Sequence, residues 1–241
     1  MLLQTLETSP NFFDIPRELR DLVYCYLIDD VRLPPANPDQ SGDRLLTNKI
    51  YFQARSPRPA LLQLKLCSKR TNAEVNDILA QYVQSDTDEA HLDVMVKGSL
   101  IWPTWIYLPV TRYLDPAIRI DLRLFEAVGW GSEFSTGAYR GLWALFNALV
   151  SQGPCLIQNR IGGNTPLRNV RLRFRIHLCF ATSAEDLYET YRDVFDRLER
   201  LAFDNVGLGN VVEIEAILPP NRRVWRLKQL PTGFTIASRI A

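Results

Sequence analysis

The sequence holds none of the short motifs by which the common hydrolases, phosphoryl-transfer enzymes and dinucleotide enzymes are recognised: G-x-S-x-G, G-x-x-x-x-G-K-[ST], H-E-x-x-H and the Rossmann glycine fingerprint are all missing. That argues against those families. Histidine is scarce too, with only His91 and His177, and the four cysteines, Cys25, Cys67, Cys155 and Cys179, lack the close spacing of a zinc or redox site. Neither a metal nor a cofactor is expected, and the thiols are expected to be buried and reduced. No apolar run approaches the roughly 18 residues of a membrane helix, and the start M-L-L-Q-T-L-E-T-S-P lacks the basic, apolar and small-residue zones of a secretion signal. The expectation is a reducing intracellular compartment, cytoplasmic or nuclear, with no membrane partner. An excess of either charge is also missing, since 28 basic residues face 27 acidic ones. Net charge thus steers the chain toward neither nucleic acid nor membrane.

What is present is an ordinary globular composition, 46% apolar and 23% charged, in 241 residues. A chain of that length can bury roughly 70% of its unfolded surface without disulfides, as one large domain or two small ones. The stretch F-F-D-I-P-R-E-L-R-D-L-V-Y-C-Y-L-I, from Phe12 to Ile28, places Ile15, Leu19, Leu22, Val23, Tyr26 and Leu27 at steps of three and four. That spacing predicts a helix over 15–28 with a broad apolar stripe. Pro16 suits its first turn, and Asp14 and Glu18 sit near the positive end of its dipole. Residues 29–60 are Pro-rich and far longer than the usual connection of about 4–6 residues, which predicts a mobile or surface-wrapping loop. A second helical region comes after it, with Leu62, Leu66, Val75, Ile78, Leu79, Tyr82 and Val83 on its apolar faces and a break near Ser68.

Beyond residue 85 the period changes to two. Leu92, Val94 and Val96 alternate with Asp93, Met95 and Lys97, and Ile118, Ile120, Leu122 and Leu124 alternate with Arg119, Asp121, Arg123 and Phe125. V-R-L-R-F-R-I-H-L-C-F, V-V-E-I-E-A-I-L and V-W-R-L-K-Q-L repeat the pattern. Two helices interrupt the strands, one through Tyr139, Leu142, Trp143, Phe146 and Leu149 with Gly153-Pro154 as its stop, the other capped by Ser183 and carrying Leu187 to Leu201. The expected fold class is α+β: a helical module over 1–85, with its insertion at 29–60, and an α+β domain over 86–241 built on a mostly antiparallel sheet packed with helices.

Three features invite a chemical reading. Arg171, Arg173 and Arg175 project from one face of their strand, and Arg119 and Arg123 from one face of another. As neighbours these strands would form a basic face able to hold phosphate or RNA, unless Asp121, Glu213 and Glu215 sit opposite in cross-strand ion pairs, the favoured reading. Trp102, Trp105 and Tyr107 suit either a ligand pocket or, better, a bulky core. The glycines of the 162–166 loop lack a preceding strand and a following Lys-Ser/Thr, so they read as a turn.

The opening helix and the Leu-rich segment after the insertion resemble something more specific. The pattern P-x-E-L-R-x-x-[IV]-Y-x-[YF]-L is matched by Pro16, Glu18, Leu19, Arg20, Val23, Tyr24, Tyr26 and Leu27, and L-x-x-C-x-x-x-x-x-[EA]-E by Leu64, Cys67, Ala73 and Glu74. Together they look like the F-box, in particular the divergent F-box-like modules of filamentous fungi, and the region His91 to Trp105 is similar to the segment downstream of that module in such fungal proteins. The resemblance implies that the first helices dock on a Skp1-type adaptor and that the remaining domain presents an unknown protein substrate to a cullin ubiquitin ligase, with no enzyme activity of its own. It makes Ile15, Pro16, Leu19, Val23, Leu27, Leu64 and Leu66 the expected anchors. Two other readings stay open: a scaffold whose helices cap its own sheet, and an enzyme or anion binder using the Arg-rich strand.

Overall fold

A computed structural model describes residues 11–28, 30–54, 60–81, 89–109, 117–125, 132–152, 172–180, 196, 199–200, 211–218, 221–230 and 233–240. The chain divides into two compact units, one of residues 1–30, 58–86 and 109–111, the other of 31–57, 87–108 and 112–241.

The first unit is helical. Asn11 opens it with a capping box around the 3-10 turn Phe12–Asp14. Pro16 then supplies the carbonyl that receives the first amides of α1, Arg17–Ile28, where its missing N–H is no loss. After the insertion come α2, Ala60–Lys65, and α3, Lys69–Gln81. The break between them falls at Ser68, whose Oγ accepts the Thr71 amide at 3.0 Å and so caps α3. Tyr24, Ile28, Leu61, Val75 and Ile78 form the core, with Phe12, Leu27, Leu64 and Leu79 packed around it.

The second unit is one sheet in the order β1-β2-β4-β3-β5-β6-β7-β8-β9. Its strands are β1, Arg44–Thr47; β2, Ile50–Gln53; β3, Ala90–Lys97; β4, Leu100–Tyr107; β5, Ala117–Phe125; β6, Leu172–Phe180; β7, Val211–Leu218; β8, Asn221–Leu230; and β9, Gly233–Ile240. The sheet is mixed. Antiparallel pairing holds toward its edges, in β1–β2, β3–β4, β7–β8 and β8–β9, while the central β3, β5, β6 and β7 run parallel. Period-two alternation reports only which face is buried, so the sequence could not give strand direction.

The helix α4, Ser132–Gln152, carries the chain from β5 to the parallel β6. Its Leu142, Leu145, Phe146, Leu149 and Val150 join Leu92, Val94, Val96, Ile118, Ile120, Leu122, Phe174 and Ile176 in one core. Phe146 stacks on Phe174 with ring centroids 4.9 Å apart. A Cβ on Gly141 would come within 2.5 Å of Ile101 Cδ1, so glycine sets the close approach of α4 to β4. The second expected helix, apart from Asp196, Glu199 and Arg200, lies outside the described residues, as do Gly153-Pro154, the 162–166 loop and Arg171. Among the described residues no helix is long and apolar enough to cross a membrane.

The Pro-rich insertion corrects an expectation, because residues 31–57 belong to the sheet unit and not to the helical one. The β1–β2 hairpin turns at Asn48 and Lys49, both at positive φ, the geometry of a type I′ turn matched to strand twist. β2 meets β4 at a single parallel bridge, Ile50↔Ile101. Beyond it, side chains replace the backbone ladder: Arg44 donates to the Pro103 carbonyl at 2.6 Å and to Thr104 Oγ1 at 2.7 Å, and the Trp105 amide donates to Gln53 Oε1 at 3.2 Å. Pro103 is tolerated inside a strand because the Ile101 amide points to the β2 side, and by alternation the N–H that Pro103 lacks would point there too. Pro38 is buried, and the Pro35 carbonyl accepts from Arg123.

Candidate docking helix and the charged sheet face

α1 buries a mixed face and leaves much of its apolar stripe in water. Its buried positions are Arg20, Tyr24 and Ile28, at steps of four, and its exposed positions include Leu19 at 51%, Leu22 at 65%, Val23 at 39% and Tyr26 at 80%. The stripe read from the sequence is real, but it faces away from the unit's own core. Leu66 and the edge of Leu62 are exposed on the neighbouring segment, as are Ile15 and Pro16 before α1. Leu27 and Leu64 differ from the rest of the expected anchors, since both pack against the core.

What holds α1 with this face inward is Glu74 on α3. Its carboxylate accepts Arg20 Nε at 2.9 Å, Arg20 Nη2 at 2.7 Å and the Tyr24 hydroxyl at 2.8 Å, and Arg70 adds a bond at 3.1 Å. Arg20 also donates to the Ile15 carbonyl, and Arg17 pairs with Asp21 at 2.6 Å and Asp77 at 3.5 Å. The Arg20 hydrogen bonds, with those from Tyr24 and Arg70, hold the Glu74 carboxyl at about 2, well below the usual carboxylate range. Burial and the bond to Glu74 push the Tyr24 hydroxyl up to about 12. Arg70 lies over the Phe13 ring at 4.5 Å, which ties the capped turn to α3. Sequence reasoning placed Arg20, Tyr24 and Glu74 in the motif but gave them no role. The i, i+4, i+8 spacing of Arg20, Tyr24 and Ile28 is the signal that could have found the buried face.

In the sheet unit the register sets His91, Arg119, Arg175 and Glu215 side by side, with Asp93, Asp121 and His177 in the next row. Each described arginine expected to bind an anion has an acidic neighbour. Arg123 grips Asp93 with two bonds, at 2.6 and 2.7 Å; Arg119 donates to Asp121 at 3.0 Å; Arg175 donates to Glu215 at 2.9 Å and to Glu89; and Arg173 is in register with Glu213. Arg222 also reaches Glu215, and His91 Nε2 lies 2.7 Å from Asp121. Arg123–Asp93 and Arg175–Glu215 are the expected cross-strand ion pairs, with their carboxylates buried, while Arg119 pairs with Asp121 along its own strand, an exposed-rim contact worth up to about 1 kcal/mol.

Burial raises the Asp93 carboxyl above its ordinary value, against the pull of Arg123. For Asp121, burial is outweighed by the bonds from His91 and Arg119, and the carboxyl falls. Burial and then Arg119 lower His177. Burial also brings Arg44, near Asp93, down to about 10.

The two tryptophans of the aromatic segment are core, and Tyr107 at its end is half-buried. Trp102 and Trp105 are buried, and Trp102 stacks on Tyr51 at 4.9 Å. Cys25 and Cys67 are exposed, contrary to the expectation of buried thiols, because both lie on the outer surface of the helical unit; Cys155 is outside the described residues. Among the described residues no group of three or more His, Cys, Asp or Glu is placed to hold a metal. Comparison with protein-family models, curated proteins and solved structures returns no match to this chain.

Proposed function

We propose that the helical unit is an F-box-type docking module and that the chain serves as a substrate adaptor of a Skp1–cullin ubiquitin ligase, working in the cytoplasm or nucleus. The observation that carries this reading is the orientation of α1, which buries Arg20 and Tyr24 while leaving Leu19, Leu22, Val23 and Tyr26 in water. A helix presenting apolar residues at i, i+3, i+4 and i+7 is the ligand half of a helix-in-groove interface. The motif resemblance names the groove as that of a Skp1-type protein. Ile15, Pro16, Leu19, Val23 and Leu66 are the anchors that remain accessible, whereas Leu27 and Leu64 support them from the core side.

Calorimetry of the purified chain against a fungal Skp1 tests the proposal, with a Leu19→Asp, Val23→Asp variant as control. Micromolar or tighter binding that the variant loses supports an adaptor, since two buried anchors at about 2 kcal/mol each would remove roughly a thousandfold in affinity. A folded wild type with no heat of binding refutes it.

A further inference from the structure

We propose that β1 is a pairing edge through which two copies of this chain join into one continuous sheet. Among the described residues β1 is the outermost strand on its side, paired only with β2. The Ala54 amide donates to the Asp43 carbonyl at 3.1 Å, which fixes the alternation of the ladder. The pairs Leu45↔Phe52 and Thr47↔Ile50 are then the hydrogen-bonded ones. Arg44 and Leu46, in the intervening pairs, turn their amides and carbonyls outward.

Natural edges are commonly guarded by proline, by outward charge or by a bulge. β1 has neither proline nor bulge, its register being unbroken, and its one charged side chain, Arg44, is folded back onto Pro103 and Thr104. Its middle residues are leucines, Leu45 at 50% and Leu46 at 54% exposed. Leu45 stands beside Phe52 on the core face, and Leu46 beside the Tyr51–Trp102 stack on the other. Both faces of a strand added here would continue apolar surface.

The occupant that fits is β1 itself. An antiparallel partner related by a two-fold axis at Leu45 puts Arg44 opposite Leu46 of the second copy on each side of the axis. The outward groups of those residues then exchange reciprocal N–H···O bonds. Leu45 meets its own counterpart in the close, non-hydrogen-bonded pair, about 4.5 Å between Cα atoms. No like charges face each other. An axis at Arg44 would oppose two guanidinium-bearing residues, and one between residues would break the alternation. With only a four-residue strand the interface is small, so association belongs to the weak, concentration-dependent class.

This inference is independent of the adaptor reading, and its test keeps the two apart. Sedimentation of the full chain from about 1 to about 200 μM should show a monomer–dimer shift. Leu46→Pro removes one outward amide without touching the β1–β2 ladder, and Leu45→Lys sets like charges opposite each other; each should weaken association roughly tenfold or more. Circular dichroism confirms that the variants fold, and Leu45→Lys carries the test if Leu46→Pro does not. The Leu19→Asp, Val23→Asp variant should associate as wild type. A wild type that stays monomeric throughout overturns the proposal, even if it binds an added extended peptide. So does a dimer insensitive to both β1 variants, or one lost through the α1 variant.

Discussion

Replacing Glu74 by Gln probes what holds the helical unit in its arrangement. Gln keeps the size of the side chain and one carbonyl acceptor but removes the charge. Arg20, at 3% exposed, is then left with a buried guanidinium lacking its counter-ion, and Tyr24 with a weaker acceptor. Arg17 and Arg70 are 36% and 57% exposed, so their pairings add little. Removing one partner of a buried ion pair costs about 3 kcal/mol or more. Among the described residues the unit's core is Tyr24, Ile28, Leu61, Val75 and Ile78, so that cost is a large part of its stability. Native-state hydrogen exchange of α1 and α3 amides is the assay, with β5 amides as the internal reference. The variant should raise exchange in both helices by roughly a hundredfold or more and leave β5 unchanged. The acid limb carries the same signature. A carboxyl lowered to about 2 contributes stability that is fully present above its unfolded value near 4.5 and is lost as pH falls through about 2, so Glu74→Gln should flatten that part of the pH profile. Exchange within a factor of three of wild type would refute the claim that Glu74 organises the unit.

Leu122, 1% exposed among the strands of the large core, should lose about 3 kcal/mol on Leu122→Ala in thermal unfolding, whereas Leu19→Asp, Val23→Asp on the open face of α1 should stay within about 1 kcal/mol of wild type. Lys49 sits at φ +67° in the hairpin turn, and Lys49→Gly should stabilise the chain by about 0.5–1 kcal/mol in the same measurement, because glycine carries no Cβ penalty there.

The sequence made most of this fold legible at the level of elements. Steps of three and four located α1 and the faces of α3, and alternation located β3, β5 and β6 and the core side of β5, whereas β3 buries Asp93 and Met95 as well as Leu92, Val94 and Val96. Three things escaped it, each for a physical reason. Strand direction has no counterpart in a period-two pattern, so the parallel centre was invisible. The β1–β2 hairpin is short, and the proline-rich surroundings of Asn48-Lys49 masked a turn signal that carries no glycine. The orientation of α1 escaped because apolar periodicity marks a face that avoids water without saying whether this chain or another one covers it. The basic strand was legible once its partners were: Glu215 stands in the same row as Arg119 and Arg175, and Asp121 follows Arg119 on the same face of β5.

Under the proposed docking role, the apolar face of α1 is left for a partner and cannot also hold the helix in place. The helix must be anchored by its other side, and here that side joins the core residues Tyr24 and Ile28 to a buried, hydrogen-bonded Arg20. Apolar contacts are non-directional and would let a short helix roll until Leu19 and Leu22 met the core, which would bury the stripe. A guanidinium bonded to Glu74 and to the Ile15 carbonyl has one geometry, and a rotation of α1 by a third of a turn would strip Arg20 of those partners inside the protein. The buried Arg20–Glu74–Tyr24 cluster therefore does for orientation what packing alone would undo. The same logic gives the proposed docking role a second requirement: Arg20→Met, by removing the directional bonds and adding apolar surface, should favour rolling of α1 and weaken adaptor binding while leaving every anchor side chain intact. Preserved affinity in a folded Arg20→Met chain would show that the docking stripe does not depend on the polar cluster beneath it.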